Sequence, residues 1–186
     1  MKKFIFVLAI AALAFSSCNH KGSSREQLQN AIEDFSKKQT TLENISYFPE
    51  NYTEVQTDSL IANSFKVSIK NYSIMDKDIL LKSSRKHNEI NLEYHRVFES
   101  EIKIVHENKT ILETIINAQG FKQNSEDVFW NDATLEHVWV NQQQSNKDQL
   151  FLNISFLNPK SKAYKLYEFV VFSDGNKIVE LKEAHS

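Results

Sequence analysis

From Phe65 onward the chain alternates apolar and polar residues with a period of two, and this pattern does most to set its fold class. Phe65, Val67 and Ile69 alternate with Lys66, Ser68 and Lys70. Ile79 and Leu81 follow, then Ile90, Leu92 and Tyr94, then Phe98, Ile102 and Ile104 between Glu99, Glu101 and Lys103. Successive residues of a strand point to opposite sides of a sheet, so each run reads as a strand with one buried and one wet face. "HENKT" predicts a hairpin into "TILETIIN". After a loop around "GFKQNSEDVFWND", the strands resume with "TLEHVWVNQ", "QLFLNISFL" and "YKLYEFVVF". "SDGN" carries the Asp-Gly signature of a tight turn into "KIVELKE". About eight strands with short connections predict consecutive antiparallel pairing. A twisted sheet of that size curls or folds over, giving a β-sandwich or a partly closed barrel. The residues leave those two open.

Composition agrees with a mostly β class. Thirteen Phe and six Tyr supply flat side chains that pack on pleated surfaces, while three Gly are too few for phosphate-cradling loops. One helix is predicted, over residues 25–39 at the head of a single β-rich domain of residues 25–186. There "REQLQNAIEDFSKKQ" places Leu28, Ala31, Ile32 and Phe35 on one helical face. Acids lie early in it and Lys37 and Lys38 late, matching the helix dipole. Its apolar face is expected to pack on the sheet, the alternative being a partner.

The N-terminus reads as an address. Lys2 and Lys3 precede an unbroken apolar run from Phe4 to Phe15, and Ser16 and Ser17 lead to Cys18. Those twelve apolar residues fall short of the ~20 that span a bilayer, so residues 1–17 are expected to be a removed signal. "FSSC" resembles a bacterial lipobox, with Phe15 where Leu is typical. That resemblance implies that Cys18 takes the lipid and becomes the first mature residue, with residues 18–24 as a tether. It also accounts for the only cysteine of the chain: the sulfur carries acyl chains and no disulfide is built. The other reading is an ordinary secretory signal with a chance cysteine. No acid precedes Glu26, which favours a periplasm-facing outer-membrane location over surface export. Without Lys2 and Lys3, 20 basic residues stand against 24 acidic ones, a net charge of −4. A mildly acidic domain has no electrostatic footprint for nucleic acid.

The lipobox-like start, the helix, the stretch from "FKVSIKNYSIMD" to "FESEIKI" and the closing "DGNKIVEL" together resemble an uncharacterised family of Bacteroidetes-type lipoproteins, a domain of unknown function. The likeness spans most of the mature chain. It implies a location and a β-rich fold, and brings no catalytic residues.

Chemistry has few places to sit. In "HNEINLEYH", His87, Glu89, Asn91, Glu93 and His95 share the polar face of one strand. His87 and His95 lie roughly 26 Å apart along it and cannot share an ion. Glu93 and His95 could give a zinc two ligands and would need a third from a neighbouring strand; otherwise they are a solvated face. Glu99 and Glu101 form a carboxylate pair for hydrolysis only if their environments split their pKa values, and Lys103 on the same face favours a wet charged strand. Phe129, Trp130 and Trp139 are candidate contacts for a glycan or partner, or else core. Trp139 shares a face with His137. Asp58-Ser59-Leu60 resembles the O-glycosylation sequon of Bacteroidetes envelope proteins, making Ser59 a candidate. Gly-x-Ser-x-Gly, His-Glu-x-x-His and Cys-x-x-Cys do not occur.

The expectation is a non-enzymatic envelope lipoprotein, held on the bilayer through Cys18, that binds a protein or a small apolar or glycan ligand and uses no cofactor. A hydrolase acting on envelope polymers is the alternative.

Overall fold

A computed structural model of the chain describes residues 23–38, 42–86, 89–122 and 126–185. It divides into two units, Met1–Thr41 and Leu42–Ser186. The signal, Cys18 and most of the tether lie outside the described residues, as does His87.

In the first unit, helix α1 spans Ser24–Lys38. Ser23 starts it through a capping box: its hydroxyl accepts from the Glu26 N–H at 3.3 Å, and the Glu26 carboxylate accepts from the Ser23 N–H at 3.2 Å. Leu28, Ile32 and Phe35 are 62, 56 and 71% exposed.

The second unit is mostly β. Among the described residues it forms β1 (Leu42–Phe48), β2 (Glu54–Ile61), β3 (Phe65–Lys86), β4 (Glu89–His106), β5 (Lys109–Ile116), a short helix α2 (Ala118–Lys122), a 3-10 turn (Val128–Asn131), β6 (Thr134–Val140), β7 (Gln149–Leu157), β8 (Tyr164–Phe172) and β9 (Lys177–His185). Two sheets result. A five-stranded sheet runs β1-β4-β3-β2, with β5 also on β4, and a four-stranded sheet runs β6-β7-β8-β9. Pairing is antiparallel with one correction to the expected meander: β1 runs parallel to β4, Leu42 opposite Glu89 through Phe48 opposite His95. The predicted strands 65–70 and 79–81 are one continuous strand, as are 90–94 and 98–104, because the β-bulges that interrupt the pattern do not end the pairing.

The turns follow from local chemistry. Gly175 adopts φ +89° in the Asp-Gly turn, and its N–H donates to the Phe172 carbonyl at 2.9 Å. Glu107 and Asn108 both have positive φ, as a two-residue hairpin with native twist requires.

The two sheets share one core, the sandwich form of the two arrangements expected. Phe65, Val67, Ile69, Ile102 and Ile104 from one sheet meet Leu135, Leu150, Leu152, Ile154, Phe156 and Val171 from the other. All eleven are at most 2% exposed. Side chains close the corner where β6 meets the first sheet. Asn71 on β3 donates to the Val138 carbonyl at 3.4 Å and accepts from the Val138 N–H at 3.2 Å. The Thr134 hydroxyl accepts from the Phe98 N–H at 2.7 Å. Backbone groups at this corner that pair with no strand are thereby satisfied.

Burial along β3 and β4 is uneven, and this positions the site. Inward residues alternate as buried from Phe65 to Ser73 and from Ser100 to Ile104, with Arg96 buried and Phe98 half-buried before them. Over Met75–Lys86 and Glu89–His95 only Ile79 is buried. With β1, these distal halves form a three-stranded arm roughly 30 Å long, whose strands bury little against the core.

Candidate functional site

The arm follows from register. Ile45 stands beside Leu92 and Tyr47 beside Tyr94 on one face; Asn44, Ser46 and Phe48 stand beside Asn91, Glu93 and His95 on the other. At the arm's base, Tyr47 stacks on Tyr94 with centroids 5.4 Å apart, and the Arg96 guanidinium carbon lies 3.7 Å from the Tyr47 ring centre. Arg96 is itself buried; it donates to the Met75 carbonyl at 2.6 Å and lies 3.8 Å from the Asp78 carboxylate. These contacts fix β1 where it joins β4. Apolar side chains of the arm stay open: Phe48 at its base is 69% exposed and Ile45 48%, with Leu42 and Leu80 also exposed. A shallow groove of about 720 Å³ crosses the polar face, lined by Asn44, Ser46, Lys82, Asn91 and Glu93 among others. The Asn44 amide donates to the Asn91 amide oxygen there at 3.0 Å.

The zinc candidates lie on this polar face. Glu93 pairs with Lys82 at 3.8 Å, and the His95 ring meets Phe48 with centroids 5.6 Å apart, its Nδ1 2.7 Å from the Arg96 carbonyl. Among the described residues no group of three or more His, Cys, Asp or Glu is placed to hold a metal, so the pair gains no third ligand there.

A second surface is the outer face of the five-stranded sheet. It carries a groove of about 640 Å³ lined by Gln56, Ser68, Lys70, Glu101, Lys103 and Glu113 among others. Lys70 bridges Glu54 at 3.6 Å and Glu101 at 3.5 Å, Lys103 pairs with Glu113 at 3.5 Å, and Lys77 with Glu99 at 3.4 Å. The Tyr52 hydroxyl donates to Glu54 at 2.5 Å, which pushes the phenol up to about 12 and holds the Glu54 carboxyl below the usual carboxylate range. Glu99 and Glu101 do share a face, but each is tied to its own lysine. The arrangement is a ladder of ion pairs.

The aromatic candidates are mostly interior. Phe129 and Trp130 are 8 and 4% exposed. Asp127 seats them by capping the 3-10 turn, accepting from the Phe129 N–H at 2.8 Å. Trp130 meets Phe129, Phe156 and Phe121 at centroid distances of 4.9, 5.1 and 5.9 Å. Lys165 lies 5.2 Å from the Phe129 ring centre and pairs with Asp127 at 2.5 Å, which holds that carboxyl below its ordinary range. Both rings are therefore spent on packing. Trp139 is half-buried, with its ring stacked against His137 at 5.8 Å.

Ser59 is half-buried at mid-strand on β2, opposite Val67. The sequence pattern gave no notice of Asn71, Thr134 or Arg96. Asn71 and Arg96 are polar residues at positions that, by alternation, face inward with the core residues, and Thr134 is buried beside Leu135 at the start of β6.

The chain matches no family model, and no curated protein is similar enough to it to count as a relative. Among the described residues no helix is long and apolar enough to cross a membrane.

Proposed function

We propose that the protein is an envelope-anchored, non-enzymatic binding module that engages a protein partner through the β1-β3-β4 arm. The observation that carries this reading is the exposure of Phe48, Ile45, Leu42 and Leu80 on strands that bury little else. Exposed apolar side chains on a protruding sheet mark surfaces that another chain covers. A protein fits the arm better than a glycan, because Phe129 and Trp130, the rings best suited to stack on sugars, are buried. The hydrolase alternative would draw on Glu99 and Glu101, whose carboxylates are tied to Lys77 and Lys70.

The anchor in this reading is an acylated Cys18, in the outer membrane and facing the periplasm. Its support is the lipobox-like "FSSC" and the wider resemblance to the uncharacterised Bacteroidetes-type lipoprotein family. Ser59 as an O-glycan acceptor belongs to the same reading; mature mass above polypeptide plus lipid is its test.

The arm is tested by photo-crosslinking in intact cells, with the crosslinking residue at position 45 or 48. Val128, 77% exposed and away from the arm, is the comparison position. A discrete adduct from the arm and none from position 128 is expected. Equal labelling from all three positions would remove the arm as the site.

A further inference from the structure

Helix α1 carries a stripe of exposed apolar side chains, and its acids lie away from that stripe. At about 100° per residue, Leu28, Ala31, Ile32 and Phe35 fall within one arc of roughly 100°. Glu26, Glu33 and Asp34 all lie more than about 100° from the centre of that arc. Arg25 flanks the arc at about 70° near the start of the helix. Apolar residues on one face, an arginine at its margin and acids turned away suit a helix that lies in a membrane interface.

Chain length adds a second argument. Ser24 follows Cys18 by six residues, which reach at most about 20 Å, and Leu28 lies about 6 Å further along the helix. The capping box at Ser23 starts the helix a fixed number of residues after that cysteine. We infer that the Leu28-Ile32-Phe35 stripe of α1 seats in the interfacial layer of the bilayer holding the acylated Cys18, giving the protein a second, peptide contact with its own membrane. This rests on the anchored reading above. A second copy fits the stripe less well, because Leu28 to Phe35 spans one heptad and coiled-coil pairing draws on several.

The test uses the full mature protein, purified with its lipid and reconstituted in vesicles of phosphatidylethanolamine and phosphatidylglycerol, with and without brominated acyl chains. Phe35→Trp adds a fluorophore to the stripe, and wild type gives the background from Trp130 and Trp139. Strong quenching of the added emission by the brominated lipid, with wild-type emission unchanged, is expected. Adding Ile32→Glu should abolish that quenching while the protein stays on the vesicles. Unquenched emission from position 35 in a vesicle-bound, acylated protein overturns the inference. So does emission that is unquenched but blue-shifted with protein concentration, which assigns the stripe to a second copy. The intact mass separates the two failures: a mature chain without acyl groups sinks the anchor itself.

Discussion

Replacing Asn71 by alanine tests the corner that joins the two sheets. Asn71 is 8% exposed, and its amide serves both backbone groups of Val138, which is 2% exposed. Val138 stands opposite Ile154 on β7, yet its N–H and C=O reach Asn71 on the other sheet. Alanine leaves both groups buried and unpaired, at about 1–3 kcal/mol each. The bond to the carbonyl is long at 3.4 Å, so its loss weighs at the low end and the total comes to about 2–4 kcal/mol. For a unit of this size that lowers the melting temperature by about 5–15 °C. Urea unfolding followed by tryptophan emission measures it, since Trp139 adjoins Val138 in the chain. Asn71→Asp keeps the acceptor, removes the donor and buries a charge, so it should be worse than alanine at neutral pH and recover in acid. A cost below about 0.5 kcal/mol for Asn71→Ala would refute the reasoning, because the corner would then close without this side chain.

Trp130→Ala empties the aromatic cluster around Phe121 and Phe156 and should cost about 3–5 kcal/mol, read from the same urea curves. Ser100→Ala should be neutral or stabilising by up to about 1 kcal/mol, since its hydroxyl is fully buried and finds no hydrogen-bond partner among the described residues. Asp127 has a folded pKa held below its ordinary 3.8, first by Lys165 and then by the Phe129 N–H. Its contribution is therefore complete above 3.8 and is lost as pH falls through the lower folded value. The stability gap between wild type and Asp127→Asn should be widest near neutral pH and close in strong acid. Ile45→Ser on the arm should shift stability by less than about 0.5 kcal/mol while removing crosslinking to the partner.

Much of the β architecture was legible because alternation and burial coincide. Leu150, Leu152, Ile154 and Phe156 announce an inward face, and all four are fully buried. The Asp-Gly turn was legible for a local reason, since Gly175 alone relieves the strain of positive φ there. What stayed hidden was non-local. Nothing in "LENISYF" signals that β1 lies parallel to a strand 47 residues downstream, because a parallel partner is chosen by tertiary placement and not by a turn. Asn71 gave no signal because alternation counts polarity and cannot see that Val138 needs an amide. The candidate site was hidden by the same rule. Ile90, Leu92 and Tyr94 have the pattern of a buried face, and only the extent of the opposing sheet decides that they end in an arm.

That last point separates stability from recognition within single strands. In β3 and β4 the halves from Phe65 to Ser73 and from Ser100 to Ile104 face the second sheet, and apolar substitutions there carry the costs of a packed core. The distal halves continue the same hydrogen-bonded ladder without an opposing layer, so their side chains vary at little cost to the fold. The ladder holds β1 and the arm in register while the core holds the ladder. The partner proposed for the arm would thus meet backbones already ordered before it arrives, and the entropy of arranging three strands would not be charged against its affinity.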